Sequence, residues 1–173
     1  MKKRRPEDMP LPIYARVDLT SGEVSRFPIS RDYYAKYVGG KCLAARLLLD
    51  LTPPGLDALS PEAVIIINTG PLNGTGAPST SRFNLSFKNV LTGGIASSNC
   101  GGQFGVMLKR AGFDGLIITG RAPEPSVIEA LDGELRIRPA PELWGLDTEA
   151  VQAKFPKWYG KLVIGPAGEN GVR

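Results

Sequence analysis

The chain has 173 residues, which is enough for one domain with a sizeable hydrophobic core. Hydrophobic residues make up 42% of it and charged residues 22%, as in ordinary globular proteins, which argues against disorder over most of its length. Its 21 Gly and 15 Pro predict many turns and short elements and argue against a helical bundle.

The chain contains no histidine and only two cysteines, Cys42 and Cys100. Without histidine, a Ser-His-Asp or Cys-His mechanism cannot be built from this chain alone. Two thiolates are too few for an iron–sulfur cluster or a structural zinc site, each of which takes four ligands. We expect two reduced, partly buried thiols in a cytosolic protein, and their spacing leaves open whether they form a disulfide.

Much of the net charge of +4 lies at the start of the chain, where Lys and Arg occupy positions 2–5. We interpret residues 1–10 as a disordered basic tail. The alternative is an arm that contacts nucleic acid or an acidic partner, but no aromatic residues lie among these charges to stack on bases. No apolar stretch reaches membrane-spanning length, and the terminus lacks the core of a secretory signal. We therefore expect a cytoplasmic protein with no membrane or nucleic-acid partner.

The first third of the chain predicts a hairpin followed by two helices. Apolar and polar residues alternate over 13–27 around a central Thr-Ser-Gly-Glu turn, which is typical of a β-hairpin. Ser30 is a candidate N-cap for a helix over 31–38. A second helix is predicted over 41–51, because its apolar residues recur on one face until Pro53 and its neighbours end it.

The middle of the chain predicts strands separated by glycine-rich loops. Residues 63–67 are an unbroken apolar run rich in β-branched residues, typical of a strand buried on both faces. Residues 82–87 alternate in polarity, and 90–97 predict another strand around a Gly-Gly turn. Asn-Cys-Gly-Gly at 99–102 is predicted to open a helix over 103–110.

The last third predicts a short buried strand at 116–118, a hairpin over 126–138, a helix over 147–155 and a last strand at 161–164. The elements do not alternate as regular βαβ units. We therefore predict an α+β fold with mainly antiparallel sheets and three or four helices, formed as one domain by residues 11–173.

Two loops have the composition of ligand-binding loops. Residues 70–78 are rich in glycines that let a ligand approach the backbone, and Arg82 after them offers a rigid fork suited to phosphate. The spacing matches neither a Walker nor a Rossmann motif, and a tight structural loop is the alternative. Residues 99–103 lie at a predicted helix start, where free N–H groups suit an anion, unless Asn99 is a plain N-cap. Together the loops predict an anionic, phosphate-bearing ligand but name neither the ligand nor a reaction.

From about residue 13 to the end, the order and spacing of many motifs resemble the N-terminal domain of the aldehyde ferredoxin oxidoreductases. Single motifs are weak evidence, but their combination is highly specific. The motifs are Arg16-Val17-Asp18-Leu19-Thr20-Ser21-Gly22, Val38-Gly39-Gly40-Lys41, Leu59-Ser60-Pro61-Glu62, Thr69-Gly70-Pro71-Leu72-Asn73-Gly74-Thr75, Ser81-Arg82-Phe83-Asn84, Leu91-Thr92-Gly93, Asn99-Cys100-Gly101-Gly102-Gln103-Phe104-Gly105, Lys109-Arg110-Ala111-Gly112-Phe113-Asp114, Trp144-Gly145 and Ile164-Gly165-Pro166-Ala167-Gly168-Glu169-Asn170.

The resemblance implies a function that composition does not. Enzymes of this family oxidise aldehydes to carboxylic acids and pass the electrons to ferredoxin. They hold tungsten, or sometimes molybdenum, through the dithiolenes of two pterins. By resemblance, this domain would form the base on which that bis-pterin cofactor lies.

The resemblance also implies roles for particular residues. Arg82 would lie between the pterin and the iron–sulfur cluster, and the backbone carbonyl of Asn99 would help to hold a magnesium ion that bridges the pterin phosphates. Gly101 and Gly102 would allow close approach of the cofactor. Gly74 and Lys41 complete the expected cofactor-binding set, and no catalytic residue is expected.

Two departures from the family pattern matter. The family's usual Gly-Gly-Arg-Gly is Gly39-Gly40-Lys41-Cys42 here, and Lys cannot reproduce a bidentate Arg contact. The sequence also ends shortly after Gly168-Glu169-Asn170. The family continues there into a glycine-rich arginine segment and two helical domains with the cluster cysteines and the acid/base residues. We therefore expect a domain truncated at its C-terminal end and unable to oxidise aldehydes alone.

Three hypotheses follow. The chain is the small subunit of a split enzyme whose separate partner chain carries the iron–sulfur cluster and the catalytic domains, with ferredoxin reached indirectly. Alternatively, it is a stand-alone carrier of a tungsten- or molybdenum-pterin, for which a homo-oligomer would cover the exposed face. The third hypothesis is a non-catalytic structural remnant.

Overall fold

The computed structural model describes residues 10–172. The predicted tail at 1–10 therefore lies outside the described residues, except for Pro10. Within this range the chain forms eight strands and five α-helices. They are β1 (Tyr14–Asp18), β2 (Val24–Phe27), α1 (Arg31–Tyr37), α2 (Gly40–Leu51), β3 (Ile65–Thr69), β4 (Phe83–Lys88), β5 (Ile95–Cys100), α3 (Phe104–Arg110), β6 (Gly115–Thr119), β7 (Ser126–Leu131), β8 (Glu134–Pro139), α4 (Thr148–Ala153) and α5 (Pro166–Glu169).

Six of the strands form one sheet in the order β2-β1-β6-β3-β4-β5, and β7 and β8 form a separate hairpin. Strands β1 and β6 run parallel, and the other neighbouring pairs are antiparallel. This confirms the predicted α+β fold with mainly antiparallel sheets. The extra helix relative to the prediction is α5, a single turn that begins at a proline, where a missing N–H costs the helix nothing.

Helices α1 and α2 cover one face of the six-stranded sheet. The buried face of α2 carries Leu43, Ala44, Leu47 and Leu48, as its helical periodicity predicts. These side chains join one core cluster with Ile66 and other residues of the sheet. The predicted N-cap of α1 is also confirmed, because the side chain of Ser30 accepts a hydrogen bond from the backbone N–H of Tyr33.

Helix α3 and the β7–β8 hairpin cover the other face. Leu108 of α3 packs in a second core cluster with Ile67, Phe83 and Leu116 of the sheet. The hairpin turn at Asp132 and Gly133 has φ of 49° and 83°, which is the geometry of the turn that closes two-residue hairpins. The Gly133 N–H donates to the Ala111 carbonyl at 2.8 Å, so the hairpin docks on the end of α3.

Two predicted elements differ in the structure. The segment 161–164, predicted as a strand, pairs with no strand among residues 10–172. The strand predicted over 90–97 lies at Ile95–Cys100, so that Asn99 and Cys100 pair with β4, whereas the helix predicted over 103–110 is confirmed at Phe104–Arg110. Among the described residues, no helix is both long and apolar enough to cross a membrane.

Candidate ligand-binding site

One end of the six-stranded sheet gathers the loops that the sequence singles out. The pairing register sets Thr69 opposite Phe83, and Phe83 opposite Cys100. The loop 70–82 therefore leaves the same end of the sheet at which β5 ends and the segment 101–103 begins. Arg82 and Gly101 directly flank the paired residues of β4 and β5, so the structure brings these two predicted site residues together.

The first turn of α2 lies at the same end. Asn68, near the end of β3, donates from Nδ2 to the Gly40 carbonyl at 2.9 Å. A Cβ added to Gly39 would lie 3.1 Å from the Thr69 carbonyl oxygen, so this glycine lets α2 start close against the end of β3. Lys41 thereby begins α2 beside the loop that follows β3, with its side chain exposed.

The buried phenol of Tyr14 completes this anchor. Asn68 Nδ2 also lies 3.0 Å from the Tyr14 hydroxyl, and both side chains are essentially inaccessible to solvent. Burial raises the pKa of Tyr14 well above its ordinary value, because an ionised phenolate would lose its hydration there. The hydroxyl therefore stays protonated, and the start of α2 is tied through Asn68 to the middle of the sheet.

The loop 70–82 is held from both sides. Asn73 is buried, and its Nδ2 donates to the Arg82 carbonyl at 2.8 Å. Lys109 of α3 reaches the loop with its ammonium 3.5 Å from the Gly70 carbonyl and 2.9 Å from a carboxylate oxygen of Asp114. The backbone of Arg82 is thus fixed while its side chain is exposed.

Asn99 lies in strand β5 rather than at a helix start, so the interpretation of Asn99 as an N-cap is wrong. Its side-chain oxygen lies 3.1 Å from Nδ2 of Asn84, the residue opposite it in β4. Asn84 in turn stands opposite Asn68 in β3. Three asparagines therefore form one row across three strands, because tertiary pairing extends β5 past the point where a local cap would stop it.

The predicted site glycines border open space. A Cβ at Gly102 would meet nothing within 4 Å, one at Gly101 would touch only the Ser81 carbonyl at 4.0 Å, and one at Gly74 only Lys109 Cβ at 4.0 Å. Gly74 and Gly102 also have φ of 75° and 95°, values that L side chains rarely adopt. The backbone in these loops is therefore open to close approach from outside the chain.

The helix that follows residues 99–103 begins at Phe104, and the anion site expected at its start stays a prediction. Helix α3 has seven residues, and its N-cap Gln103 makes no side-chain capping bond. A cavity of about 630 Å³ borders this turn and is lined by residues that include Gly102, Arg110 and Trp158. The features at this end of the sheet are thus exposed cations, open glycine backbone, buried amides and the first turn of α2.

The site contains no set of protein metal ligands. Among the described residues, no group of three or more His, Cys, Asp or Glu side chains could hold a metal ion. Cys42 and Cys100 are free thiols, and both are exposed rather than partly buried as expected. Cys42 lies in the first turn of α2 and Cys100 is the last residue of β5, and neither belongs to the core.

Sequence reasoning missed Asn68, Tyr14 and the supporting role of Asn73. The signal for Asn68 was present, because an amide directly after Ile65-Ile66-Ile67 in a buried strand requires a hydrogen-bond partner inside the protein. The partners themselves, Gly40 and Tyr14, lie 28 and 54 residues away in sequence. Local patterns cannot reveal them.

The fold and this arrangement define a class of protein: an α+β domain that presents glycine-rich loops and cationic side chains at one end of its sheet. The sequence profile of the family "Aldehyde ferredoxin oxidoreductase, N-terminal domain" matches residues 14–173. The chain belongs to this family.

Relatives with known names agree. The tungsten-containing aldehyde ferredoxin oxidoreductase of Pyrococcus furiosus is 39% identical over 165 residues, which cover 92% of this chain and 27% of the relative. The enzyme of the same name from Thermococcus kodakarensis is also 39% identical, with the same coverage. A Pyrococcus furiosus protein named "Aliphatic sulfonate oxidoreductase, WOR-like subunit" is 30% identical, with 91% of this chain and 28% of the relative covered.

A solved structure shares the fold. It is the active-site complex BamBC of benzoyl coenzyme A reductase, bound to 1,5-dienoyl-CoA, and it superposes with a TM-score of 0.80 at 31% identity. The superposition covers 83% of this chain and 22% of that chain. This chain therefore spans about a quarter of the length of the relatives that it matches.

Proposed function

We propose that this chain is the pterin-cofactor-binding part of a tungsten- or molybdenum-dependent aldehyde:ferredoxin oxidoreductase. A separate chain would carry the iron–sulfur cluster and the catalytic domains. The observation that carries the proposal is the convergence of Arg82, Gly101, Gly102 and the first turn of α2 at one end of the sheet, in a member of this family.

The residues present fit such a cofactor. Arg82 and Lys41 expose cationic side chains at this end of the sheet. Gly101 and Gly102 leave space that side chains would fill. An anionic group that approaches the main chain closely is the ligand that these features accept.

Each of the site residues would bind and orient the cofactor. Arg82 would donate its planar guanidinium N–H groups to the anionic cofactor, and Lys41 would add a compact positive charge. Open backbone at Gly74, Gly101 and Gly102 would let the cofactor lie against the chain. When bound, the cofactor would supply the two-electron redox chemistry of aldehyde oxidation, for which this chain offers no acid/base group of its own.

Asn99 would help to hold magnesium through its backbone carbonyl, a hard oxygen ligand of the kind that Mg²⁺ prefers. It is exposed near the end of β5, the last strand at one edge of the sheet. Its side chain is bonded to Asn84 rather than directed at a ligand, which leaves the main chain for this role. Phosphate groups of the cofactor would complete the coordination.

A separate chain as partner is supported by apolar surface. Trp158 and Ile164 have 61% and 55% of their surface exposed, beside a groove of about 630 Å³ lined mainly by apolar residues of α3, the β7–β8 hairpin and the C-terminal segment. Exposed apolar patches of this kind mark protein interaction sites. One relative is named as a subunit, which agrees with a chain that works together with a partner.

The proposal is tested by purifying the tagged chain from its native host grown with tungstate and molybdate. The eluate is analysed for both metals, for pterin and for co-purifying proteins. We expect tungsten or molybdenum together with a cluster-bearing partner. Arg82→Ala should lower the metal content about tenfold, the equivalent of about 1.4 kcal/mol of binding free energy.

Leu91→Ala is the matched control, because Leu91 is exposed at the opposite end of the sheet, in the turn between β4 and β5. It should retain the wild-type metal content. Metal and pterin without a partner would support a stand-alone carrier instead. A folded chain with neither metal nor partner, and no change in Arg82→Ala, would refute the proposal.

A further inference from the structure

We propose that Asn73 is a positioning residue that sets the direction of Arg82 toward the ligand. The inference rests on the proposed function in one respect, namely that Arg82 contacts the cofactor. Asn73 itself would not touch the ligand. It would act by holding the main chain from which the Arg82 side chain extends.

The contacts of Asn73 tie together the two ends of the loop 70–82. Its side chain is 2% exposed, and Nδ2 donates to the Arg82 carbonyl at 2.8 Å. Its backbone N–H donates to the Gly70 carbonyl at 3.1 Å. One buried residue therefore links the start of the loop to the residue that precedes β4.

Helix α3 leaves space for this amide. A Cβ at Gly105 would lie 2.6 Å from Asn73 Nδ2 and 3.4 Å from the carbonyl carbon of Arg82. Any larger residue at position 105 would thus displace the amide or the Arg82 backbone. The glycine, the amide and the Arg82 carbonyl pack as one unit.

The unpartnered oxygen of the Asn73 amide favours a functional role for its contact with Arg82. Asn73 Oδ1 is buried without a hydrogen-bond partner in the described part of the chain, a condition that buried polar atoms rarely show. Turning the amide over would set two acceptors, Oδ1 and the Arg82 carbonyl, against each other. The amide therefore has one acceptable orientation, and the contact with Arg82 is kept although its other end is unsatisfied.

The Arg82 side chain has no other anchor. Within residues 10–172, its guanidinium makes no hydrogen bond or ion pair, so the main chain held by Asn73 is what sets the point from which the side chain extends. A small rotation of that backbone moves the end of a long side chain by several times more than it moves the Cα atom. Loss of the Asn73 contact would therefore misplace the guanidinium without removing it.

The test uses the full chain, labelled with ¹⁵N, and follows the Arg82 Nε–Hε signal by NMR without ligand and during titration with inorganic pyrophosphate. The signal is assigned by its loss in Arg82→Lys. Asn73→Asp keeps the shape of the side chain but removes the donor, and Asn73→Ala removes the donor without adding a charge. The control is Thr119→Val, because Thr119 is also buried with an unpartnered hydroxyl but lies at the other end of β6.

We expect both Asn73 variants to shift the Arg82 signal in the ligand-free chain and to weaken pyrophosphate binding about tenfold, with Thr119→Val unchanged in both. An Arg82 signal and a pyrophosphate affinity equal to wild type in a folded Asn73→Ala chain would overturn the inference. Pyrophosphate binding that survives Arg82→Lys unchanged would instead count against Arg82 as a ligand contact. The ligand-free spectra would still decide whether Asn73 positions Arg82.

Discussion

Tyr14 shows how one buried side chain connects the core to the candidate site. Its ring lies in the core cluster beneath α1 and α2, and its hydroxyl reaches Asn68, which holds the first turn of α2. The phenol is buried, so it can remain in the core only in its neutral form. In that form its hydroxyl accepts a hydrogen bond from Asn68. The protonation of this residue should therefore be visible in the stability of the whole domain.

We expect the free energy of unfolding to fall as the pH rises above about 10, where tyrosine in the unfolded chain ionises. The raised pKa of Tyr14 keeps the folded state protonated there, so unfolding releases a proton and becomes more favourable with pH. The stabilisation is complete below the unfolded pKa and is lost as the pH rises toward the folded pKa. The expected slope from this group is at most about 1.4 kcal/mol per pH unit.

The measurement is urea unfolding of the wild type and Tyr14→Phe between about pH 8 and about pH 11, a range that spans the ordinary tyrosine pKa. Tyr14→Phe should be less stable at the lower pH by about 0.5–1.5 kcal/mol, because Asn68 Nδ2 loses one of its two acceptors. The difference between the two proteins should shrink at the higher pH. A constant difference across the range would contradict the expected role of Tyr14.

At the scale of elements, strand β6 begins at a glycine, Gly115, because the Tyr14 ring occupies the space that a side chain would need. A Cβ at Gly115 would lie 2.4 Å from Cε1 of the Tyr14 ring, and Gly115 stands between Tyr14 and Asn68 in the sheet register. A glycine here is required by packing rather than by its backbone angles. The ring can reach Asn68 only across this gap.

Gly115→Ala should therefore destabilise the domain by about 1–3 kcal/mol, the usual cost of overpacking a core. Chemical denaturation monitored by circular dichroism measures this directly. Gly70→Ala serves as the control, since a Cβ there would meet nothing within 4 Å. Equal stability of the two variants would show that the Tyr14 ring moves aside freely.

The boundary between β5 and α3 shows why local signals failed at the site. Asn, Cys and two glycines before an apolar stripe are typical of a helix start. In the folded chain, β4 offers Asn84 and Phe83 as partners for Asn99 and Cys100, and sheet pairing wins over the local cap. The row of three asparagines across β3, β4 and β5 arises only from this pairing.

At the scale of the whole molecule, apolar surface remains uncovered along the C-terminal segment. Trp144, Trp158 and Leu162 are 52%, 61% and 44% exposed, and all three line the same groove. The segment 161–164 pairs with no strand among the described residues. Under the proposed split enzyme, this side of the domain is where the partner chain would bind.

We expect Trp158→Glu to leave the free energy of unfolding within about 0.5 kcal/mol of wild type, as for most exposed positions. It should nevertheless reduce recovery of the partner in the pull-down about tenfold, since it places a charge on the apolar surface. Leu91→Glu places the same charge on another exposed apolar residue, at 76% exposure, and should not affect recovery. Full recovery of the partner with Trp158→Glu would exclude this surface as the interface.

The sequence by itself determined most of the elements and the family. Periodicity placed the first hairpin, α1, α2, the strands β3 and β4 and the hairpin β7–β8, because these depend on contacts between near neighbours. Dense, ordered motifs identified the family, and the α+β fold followed from the mixture of elements. The same motifs indicated the loops around Arg82 and Gly101.

Only the tertiary structure decided how those loops meet. The sheet order, with β6 inserted between β1 and β3, brings Tyr14 and Asn68 together from 54 residues apart. The extension of β5 through Asn99, the exposure of both cysteines and the burial of Asn73 under α3 likewise depend on which distant segments pack together. Hydrogen-bond partners of buried amides are set by three-dimensional packing, and no local pattern of residues encodes them.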